Sequence, residues 1–193
     1  AQWARSVAGV AANSWLMAVA VDDTGGVYAA GSIEGAGTCD FGNGVSATGV
    51  SGGVNPVLVK YDSAGVAQWA RTATEGAGES EFLGLAADGT GGVYAAGCIY
   101  GSDTRRFGAA VAAGLTAGSN PVLVKYDEAG TAQWARTTTA GTGASMFNSV
   151  AIDDSGDLYV AAFVSGTGRY GFGDGVAVAG IFAAGQNAVL LKY

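Results

Sequence analysis

One pair of carboxylates in the sequence, Glu79 and Glu81, could in principle carry out glycoside chemistry. Paired carboxyl groups hydrolyse glycosides when the fold sets them at a defined separation. These two lie in a glycine-rich stretch that leaves their separation undefined. The chain also contains no histidine, which is the usual general base and the commonest zinc ligand. We therefore predict no catalytic residues and a protein that is not an enzyme, with a weak glycosidase or lyase as an alternative.

A second chemical possibility is a calcium site in the turn that contains Asp153, Asp154 and Asp157. Ca²⁺ prefers oxygen ligands, but a calcium loop of the EF-hand type needs ligands at alternate positions and a distant glutamate, which do not follow here. Aspartate is also common in such turns because its side chain bonds the local backbone. These three residues are a weak metal candidate, and we predict no cofactor.

A third group consists of aromatic and charged side chains that do not recur along the chain. They lie mainly in long segments between predicted strands, which we expect on one side of the molecule. Aromatic faces beside carboxylates and guanidinium groups suit sugar rings or peptide side chains, and function commonly resides in loops above a rigid scaffold. The candidate ligand-binding residues are Trp15, Glu34, Glu79, Glu81, Tyr100, Asp103, Arg105, Arg106, Arg169 and Tyr170.

Composition narrows the class of protein that could carry these residues. The chain has 193 residues, of which 49% are hydrophobic, 13% are charged and 34 are glycine. This balance excludes a disordered tail, which needs low hydrophobicity and high charge. The net charge of −7 argues against nucleic acid as a partner, because binding to phosphates needs a basic surface. No apolar run is long enough to predict a membrane span.

Self-similarity is the strongest signal in the sequence. The string AQWAR occurs at 1–5, 67–71 and 132–136, and NPVLVKYD occurs at 55–62 and 120–127 and returns at the end of the chain as NAVLLKY. Such a period indicates a tandem repeat of one supersecondary unit. The chain therefore divides into three units of one domain, at about 1–66, 67–131 and 132–193.

Each unit has the pattern of antiparallel strands. In the first unit, residues 16–22 and 27–33 flank the turn DDTGG, and residues 56–61 and 67–71 flank a similar turn. Short runs rich in Val and aromatic residues, bounded by Gly and Asp, are typical of strands. We predict an all-β fold without helices. Four-stranded antiparallel units in tandem indicate β-propeller blades.

Three runs of the sequence support a family resemblance. AVAVDDTGGVYAAG, GTCDFGNGV and NPVLVKYDSAGVAQWAR resemble the bacterial SBBP-type propeller repeat. The likeness extends over all three units and departs from the pattern in the second, where Arg105 and Arg106 replace Cys39 and Asp40. The resemblance implies a propeller in an extracellular or cell-surface bacterial protein and supplies no catalytic residue.

The phase of the repeat predicts self-association. The chain begins on a Trp-containing strand, and its third unit lacks one, so residues 1–5 are available to complete the last blade by velcro closure. Three blades are fewer than the roughly four to eight of a complete propeller. We expect a six-bladed homodimer, with neighbouring repeats of a longer array as the alternative. Trp3 would then pack against residues such as Val189 and Leu191.

The remaining predictions concern residues that we assign to the scaffold. Cys39 and Cys98 leave open either one disulfide or two free thiols. The recurring charges are interpreted as ion pairs between strands or blades; they are Arg5, Arg71, Arg136, Lys60, Lys125, Lys192, Asp22, Asp88 and Asp153.

The leading functional hypothesis is a non-catalytic scaffold or adhesion module that binds an unknown protein or glycan ligand. The first alternative is a glycan-binding propeller that uses the loop residues.

Overall fold

The computed structural model describes residues 1–9 and 13–193, and these residues form strands, turns and loops without a helix. Grouped by sheet, each of the first two units also includes the Trp-containing strand that follows the predicted boundary at 66 or 131. The first unit then contains β1 (Ser14–Val21), β2 (Val27–Glu34), β3 (Thr38–Asp40), β4 (Ser46–Thr48), β5 (Val54–Tyr61) and β6 (Ala67–Thr72). The second contains β7 (Ser80–Ala87), β8 (Val93–Tyr100), β9 (Thr104–Phe107), β10 (Ala110–Ala113), β11 (Ser119–Tyr126) and β12 (Ala132–Arg136). The third contains β13 (Ser145–Ile152), β14 (Leu158–Ser165), β15 (Arg169–Gly171), β16 (Ala177–Ala179) and β17 (Gln186–Lys192).

The main strands of each unit form one antiparallel sheet. The first sheet has the order β1-β2-β5-β6 and the second has the equivalent order β7-β8-β11-β12. The third sheet contains β13, β14 and β17 alone. The prediction of an all-β chain with four antiparallel strands per unit is therefore confirmed for the first two units.

Short hairpins occupy the long segments that we predicted as loops. They are formed by β3 with β4, β9 with β10, and β15 with β16. Each hairpin has only three or four residues per strand, which is too short for a clear alternating pattern. These hairpins were therefore not predicted from the sequence.

The turn between the first two strands of a unit is organised by an aspartate. Asp22 Oδ1 accepts hydrogen bonds from the backbone N–H groups of Thr24 at 3.0 Å and Gly26 at 2.8 Å. Gly25 adopts φ +85°, a conformation that glycine takes without steric cost. Asp88 and Asp153 make the equivalent backbone bonds in their own units. The recurring Asp–Gly pattern therefore forms the predicted hairpin turns.

The three sheets stack face to face in chain order. Between the first and second sheets, Tyr28 and Leu58 pack with Phe82 and Tyr126. Between the second and third, Leu123 packs in a cluster with residues that include Phe147 and Val160. Strand faces that would be half-exposed in an isolated sheet thus become core, because each sheet covers its neighbour.

The N-terminal segment lies against the first sheet. Trp3 Nε1 donates a hydrogen bond to the Ser63 carbonyl at 3.2 Å, and its ring lies 6.3 Å from that of Tyr61. Within the single chain, residues 1–5 form no strand and the third sheet stays three-stranded. The predicted contact of Trp3 with Val189 and Leu191 is wrong, because those two side chains pack toward the second sheet.

Candidate functional site

Trp15 is the most accessible aromatic residue among the predicted site residues. It lies on β1 with 46% of its surface exposed. Together with Arg5, Ser14 and Ser32, Trp15 is one of the residues that line a cavity of about 210 Å³. An exposed indole can stack on a sugar ring, and neighbouring hydroxyl and guanidinium groups can form hydrogen bonds with the hydroxyls of the sugar.

Glu34 is exposed at the end of β2, and its Oε2 accepts a hydrogen bond from Asn13 Nδ2 at 2.7 Å.

The two carboxylates of the second unit, Glu79 and Glu81, have different neighbours. Glu81 Oε1 accepts hydrogen bonds from the Tyr100 hydroxyl at 2.8 Å and from the Cys98 thiol at 3.7 Å. Glu79 is exposed and lies over Gly53 of the first unit. The carboxylates of Glu79 and Glu81 are therefore not placed together around one position where a substrate could bind.

The group around Glu81 is a closed hydrogen-bonded cluster. Burial raises the pKa of Tyr100, and the neighbouring Cys98 and Glu81 raise it further. Burial also raises the pKa of Cys98 to about 12, with the negative charge of Glu81 adding to the shift. Both groups are thus neutral near pH 7, and Cys98 is an unreactive thiol.

Both cysteines are free and buried. Cys39 lies in the core on the outer side of the first sheet, and Cys98 lies on β8 of the second. Burial raises the pKa of Cys39 as well. Of the two possibilities left open by the sequence, the structure contains the pair of free thiols.

Arg105 was expected on an exposed surface, and this expectation is wrong. Its side chain is 1% exposed. The guanidinium donates to the carbonyls of Thr104 at 3.1 Å and Tyr100 at 3.3 Å, while Nε has no hydrogen-bond partner among the residues that the structure describes. Gly76 and Gly78 lie directly against it, and a β-carbon on Gly78 would come within 1.8 Å of Nη2. Burial lowers the pKa of Arg105, opposed by the charge of Asp103.

Tyr170 was also expected in an exposed loop, but it is completely buried. Its hydroxyl donates to the Ser165 carbonyl at 2.6 Å, and Gly141 and Gly143 lie against its ring. By the repeat, Ser165 and the two glycines correspond to the carbonyl and glycines around Arg105. One buried position, two residues before the recurring Phe of each unit, is therefore occupied by Cys39, Arg105 and Tyr170.

The other predicted ligand-binding residues stay on the surface of separate loops. Arg106 Nε contacts Glu75 Oε2 at 2.9 Å, which forms an exposed ion pair. Asp103, three residues before Arg106, is exposed, and Arg169 of the third unit is exposed as well. The structure thus does not bring the ten candidates into one site.

The aspartates of the weak calcium candidate are used by the turn and by a lysine. Asp153 accepts bonds from the N–H groups of Ser155 and Asp157 and from the Tyr159 hydroxyl at 3.1 Å. Asp157 forms an ion pair with Lys192. Asp154 borders an open cavity of about 560 Å³. Within residues 1–9 and 13–193, no three metal-ligating side chains converge on one point.

The recurring charged residues form a repeated set of contacts on the scaffold. Lys60 lies over the Tyr28 ring at 5.1 Å and pairs with Asp22 at 3.7 Å. Arg71 lies over the Trp69 ring at 5.3 Å and donates to backbone carbonyls of the next unit. The same Lys–Tyr and Arg–Trp stacks occur in all three units. The prediction of ion pairs is confirmed for Lys60, for Lys192 and for Arg136, which pairs with Asp174 at 3.7 Å. The three recurring arginines also stack on tryptophan.

Sequence reasoning missed the role of one recurring asparagine. Asn120 is 1% exposed. Its Oδ1 accepts from the backbone N–H groups of Leu115 and Thr116, and its Nδ2 donates to the carbonyls of Gly101, Thr116 and Gly118. Asn55 and Asn187 make corresponding bonds. The signal was present, because the asparagine opens the repeated NPVLVKY and NAVLLKY strings.

Comparison with known proteins adds no relative. No protein-family model matches the chain, and no curated protein matches it significantly. Within the part of the chain that the structure describes, no helix could cross a membrane.

Proposed function

We propose that the chain is a non-catalytic β-propeller module of a secreted or surface-exposed bacterial protein, with a scaffold or adhesion role. The observation that carries the proposal is the threefold recurrence of the Lys–Tyr and Arg–Trp stacks, which occupies most basic side chains of the chain with packing. Six of the nine basic residues are therefore engaged in packing, which leaves only Arg105, Arg106 and Arg169 as basic groups for other roles.

The stacking of the sheets supports the propeller architecture. Blades of a propeller are four-stranded antiparallel sheets that pack face to face. The first two sheets have this strand order, and each neighbouring pair of sheets shares an apolar core. The proposed location outside the cell rests on the resemblance to SBBP-type repeats.

A second candidate function is glycan binding at Trp15. It is favoured by the half-exposed Trp15, which lines a cavity of about 210 Å³ together with Arg5, Ser14 and Ser32. This geometry offers one aromatic platform with polar groups at its edge, which is the minimum for recognition of a sugar ring.

One panel of glycans, assayed for both binding and hydrolysis, tests these proposals. We expect the wild-type chain to hydrolyse none of them, and Glu81→Gln to behave identically. Turnover that is lost in Glu81→Gln would overturn the non-catalytic proposal. Binding that disappears in Trp15→Ala but persists in the control Ile181→Ala, which changes an exposed side chain far along the sequence, would establish the glycan-binding candidate.

A further inference from the structure

The stack of three sheets ends in two apolar faces that its own chain leaves open. We call the outer face of the first sheet, marked by Leu16 and Val19, the leading face. We call the outer face of the third sheet, marked by Tyr159, Ala161 and Leu190, the trailing face. Leu16, Val19 and Leu190 are 52%, 68% and 74% exposed. Exposed apolar side chains on a contiguous sheet face indicate an interaction surface.

The trailing face has buried counterparts inside the stack. Its residues correspond to Tyr28, Ala30 and Leu58 of the first sheet, all 0% exposed. They also correspond to Tyr94, Ala96 and Leu123 of the second sheet, which are 7%, 0% and 0% exposed. The same three side-chain types are therefore core wherever a following sheet covers them.

The leading face has buried counterparts as well. Leu16 and Val19 correspond to Phe82 and Leu85, which are 0% and 8% exposed. Phe82 and Leu85 pack against Tyr28, Ala30 and Leu58 of the preceding sheet. On the first sheet, the equivalent space is a cavity of about 300 Å³ lined by residues that include Trp3, Leu16, Val19 and Tyr61.

Residues 1–5 already hold the position of an outer strand of a preceding sheet. Trp69 Nε1 donates to the Glu128 carbonyl at 2.9 Å, and Arg71 donates to the carbonyls of Ala129 and Gly130 in the next unit. At the start of the chain, Trp3 and Arg5 make the same bonds to the carbonyls at 63, 64 and 65. This segment is therefore seated on the first unit as β6 is seated on the second.

We infer that the leading face binds the trailing face of a second copy of this chain. Tyr159, Ala161 and Leu190 of one copy fill the 300 Å³ cavity of the other. The segment 1–5 then pairs with β17 of the other copy as its fourth strand. The internal pairs Lys60↔Trp69 and Leu58↔Arg71, and Lys125↔Trp134 and Leu123↔Arg136, define the register. They place Trp3 opposite Lys192 and Arg5 opposite Leu190.

Two copies are the expected number. A head-to-tail interface forms a ring when its rotation closes and an open filament when it does not. The inference rests on the proposed propeller, whose rings have about four to eight blades. With three sheets per chain, two copies are the only whole number that falls within this range.

Solution mass with a matched pair of variants tests the interface. We expect the wild-type chain to sediment at twice its 18.9 kDa, Leu190→Arg to fall to the monomer mass, and Val111→Arg to keep the wild-type mass. Val111 is a suitable control because it is 41% exposed on β10 of the second unit, whose sheet already has a neighbour on each face. A wild-type monomer would overturn the inference and leave the faces for adjoining repeats of a longer chain. An open-ended series of larger species would overturn the two-copy ring.

Cross-linking tests the register. In Arg5→Cys/Leu190→Cys, oxidation should give a covalent dimer on a non-reducing gel, because directly opposed strand residues lie within disulfide reach. The control Arg5→Cys/Ile181→Cys should stay monomeric on the same gel. A dimeric chain that gives no cross-link in the first variant would refute the proposed strand pairing. Neither measurement depends on glycan binding or turnover, so its failure is distinguishable from that of the proposed function.

Discussion

The second and third sheets contain equivalent leucines with opposite surroundings. Leu123 on β11 pairs with Ala96, and Leu190 on β17 pairs with Ala161 in the same register. Leu123 is fully buried, whereas Leu190 is 74% exposed. The strands, their partners and their alternation are therefore properties of each unit, but burial of the outward face comes from the next sheet in the stack.

The loop asparagines show a weaker form of the same difference. Asn120 is 1% exposed, while Asn187 in the third unit is only half-buried. Both bind two backbone N–H groups with Oδ1 and several carbonyls with Nδ2. The two asparagines make the same kinds of hydrogen bonds, but water has more access to those of Asn187. A comparison of the two therefore shows how much competition from water reduces the contribution of these bonds to stability.

The largest effect should come from the leucines. Leu123→Ala is expected to lower the free energy of unfolding by about 2–5 kcal/mol, because it leaves a cavity in a packed core. Leu190→Ala should cost less than about 0.5 kcal/mol in dilute solution, as is usual for an exposed site. Urea unfolding, followed by tryptophan fluorescence, measures both.

Protein concentration sharpens this comparison. If a second copy covers Leu190, the cost of Leu190→Ala should grow as the concentration of the chain rises, since association adds to the apparent stability. The cost of Leu123→Ala should stay large at every concentration. Equal losses in dilute solution would contradict the difference in burial between the two sheets.

The next effect should come from the asparagines. Asn120→Ala removes a buried side chain that bonds five backbone groups, and the expected loss is about 3 kcal/mol. Asn187→Ala should cost about half as much, because water can reach the released groups. Urea midpoints of the two variants provide the test. A larger loss for Asn187→Ala would show that accessibility does not control the value of these bonds.

A smaller gain in stability is expected at Arg105. Arg105→Tyr places in the second unit the side chain that the third unit has at Tyr170, where the hydroxyl bonds the carbonyl of Ser165. The equivalent carbonyl of Tyr100 is already in place. Within residues 1–9 and 13–193, the buried Arg105 guanidinium forms no ion pair, and its removal should raise the free energy of unfolding by about 1 kcal/mol.

The neighbouring Arg106 supplies the control for this substitution. Arg106→Tyr changes an exposed side chain, paired with Glu75, and should alter stability by less than about 0.5 kcal/mol. Thermal unfolding of the two variants at one protein concentration gives the comparison. A destabilised Arg105→Tyr would mean that the guanidinium bonds to Thr104 and Tyr100 outweigh the cost of burying the charge.

The main strands could be predicted from sequence, and the orientation of the hairpin residues could not. The ranges 16–22, 27–33, 56–61 and 67–71 lie within two residues of the ends of β1, β2, β5 and β6, because alternating apolar residues and Asp–Gly turns are local signals. Burial of Arg105 and Tyr170 depends on glycines about thirty residues earlier that fold over them. The polar side chains of Arg105 and Tyr170 suggested exposed positions, but a segment distant in the sequence covers both.

The smallest effect concerns pH and compares Tyr28 with Tyr159. Burial raises the pKa of Asp22, but hydrogen bonds from Thr24, Gly26 and Tyr28 outweigh it and hold the pKa below its ordinary 3.8. A carboxyl with a depressed folded-state pKa stabilises the fold above the unfolded pKa and loses that contribution as pH falls through the folded value. Wild-type stability should therefore decrease below about pH 4.

Tyr28→Phe removes a donor at 3.0 Å from Asp22 and should make this decrease in stability smaller, as measured by urea titrations at successive pH values. Tyr159→Phe, whose hydroxyl bonds the more exposed Asp153, should flatten it less, and the reverse order would show that burial does not strengthen this bond.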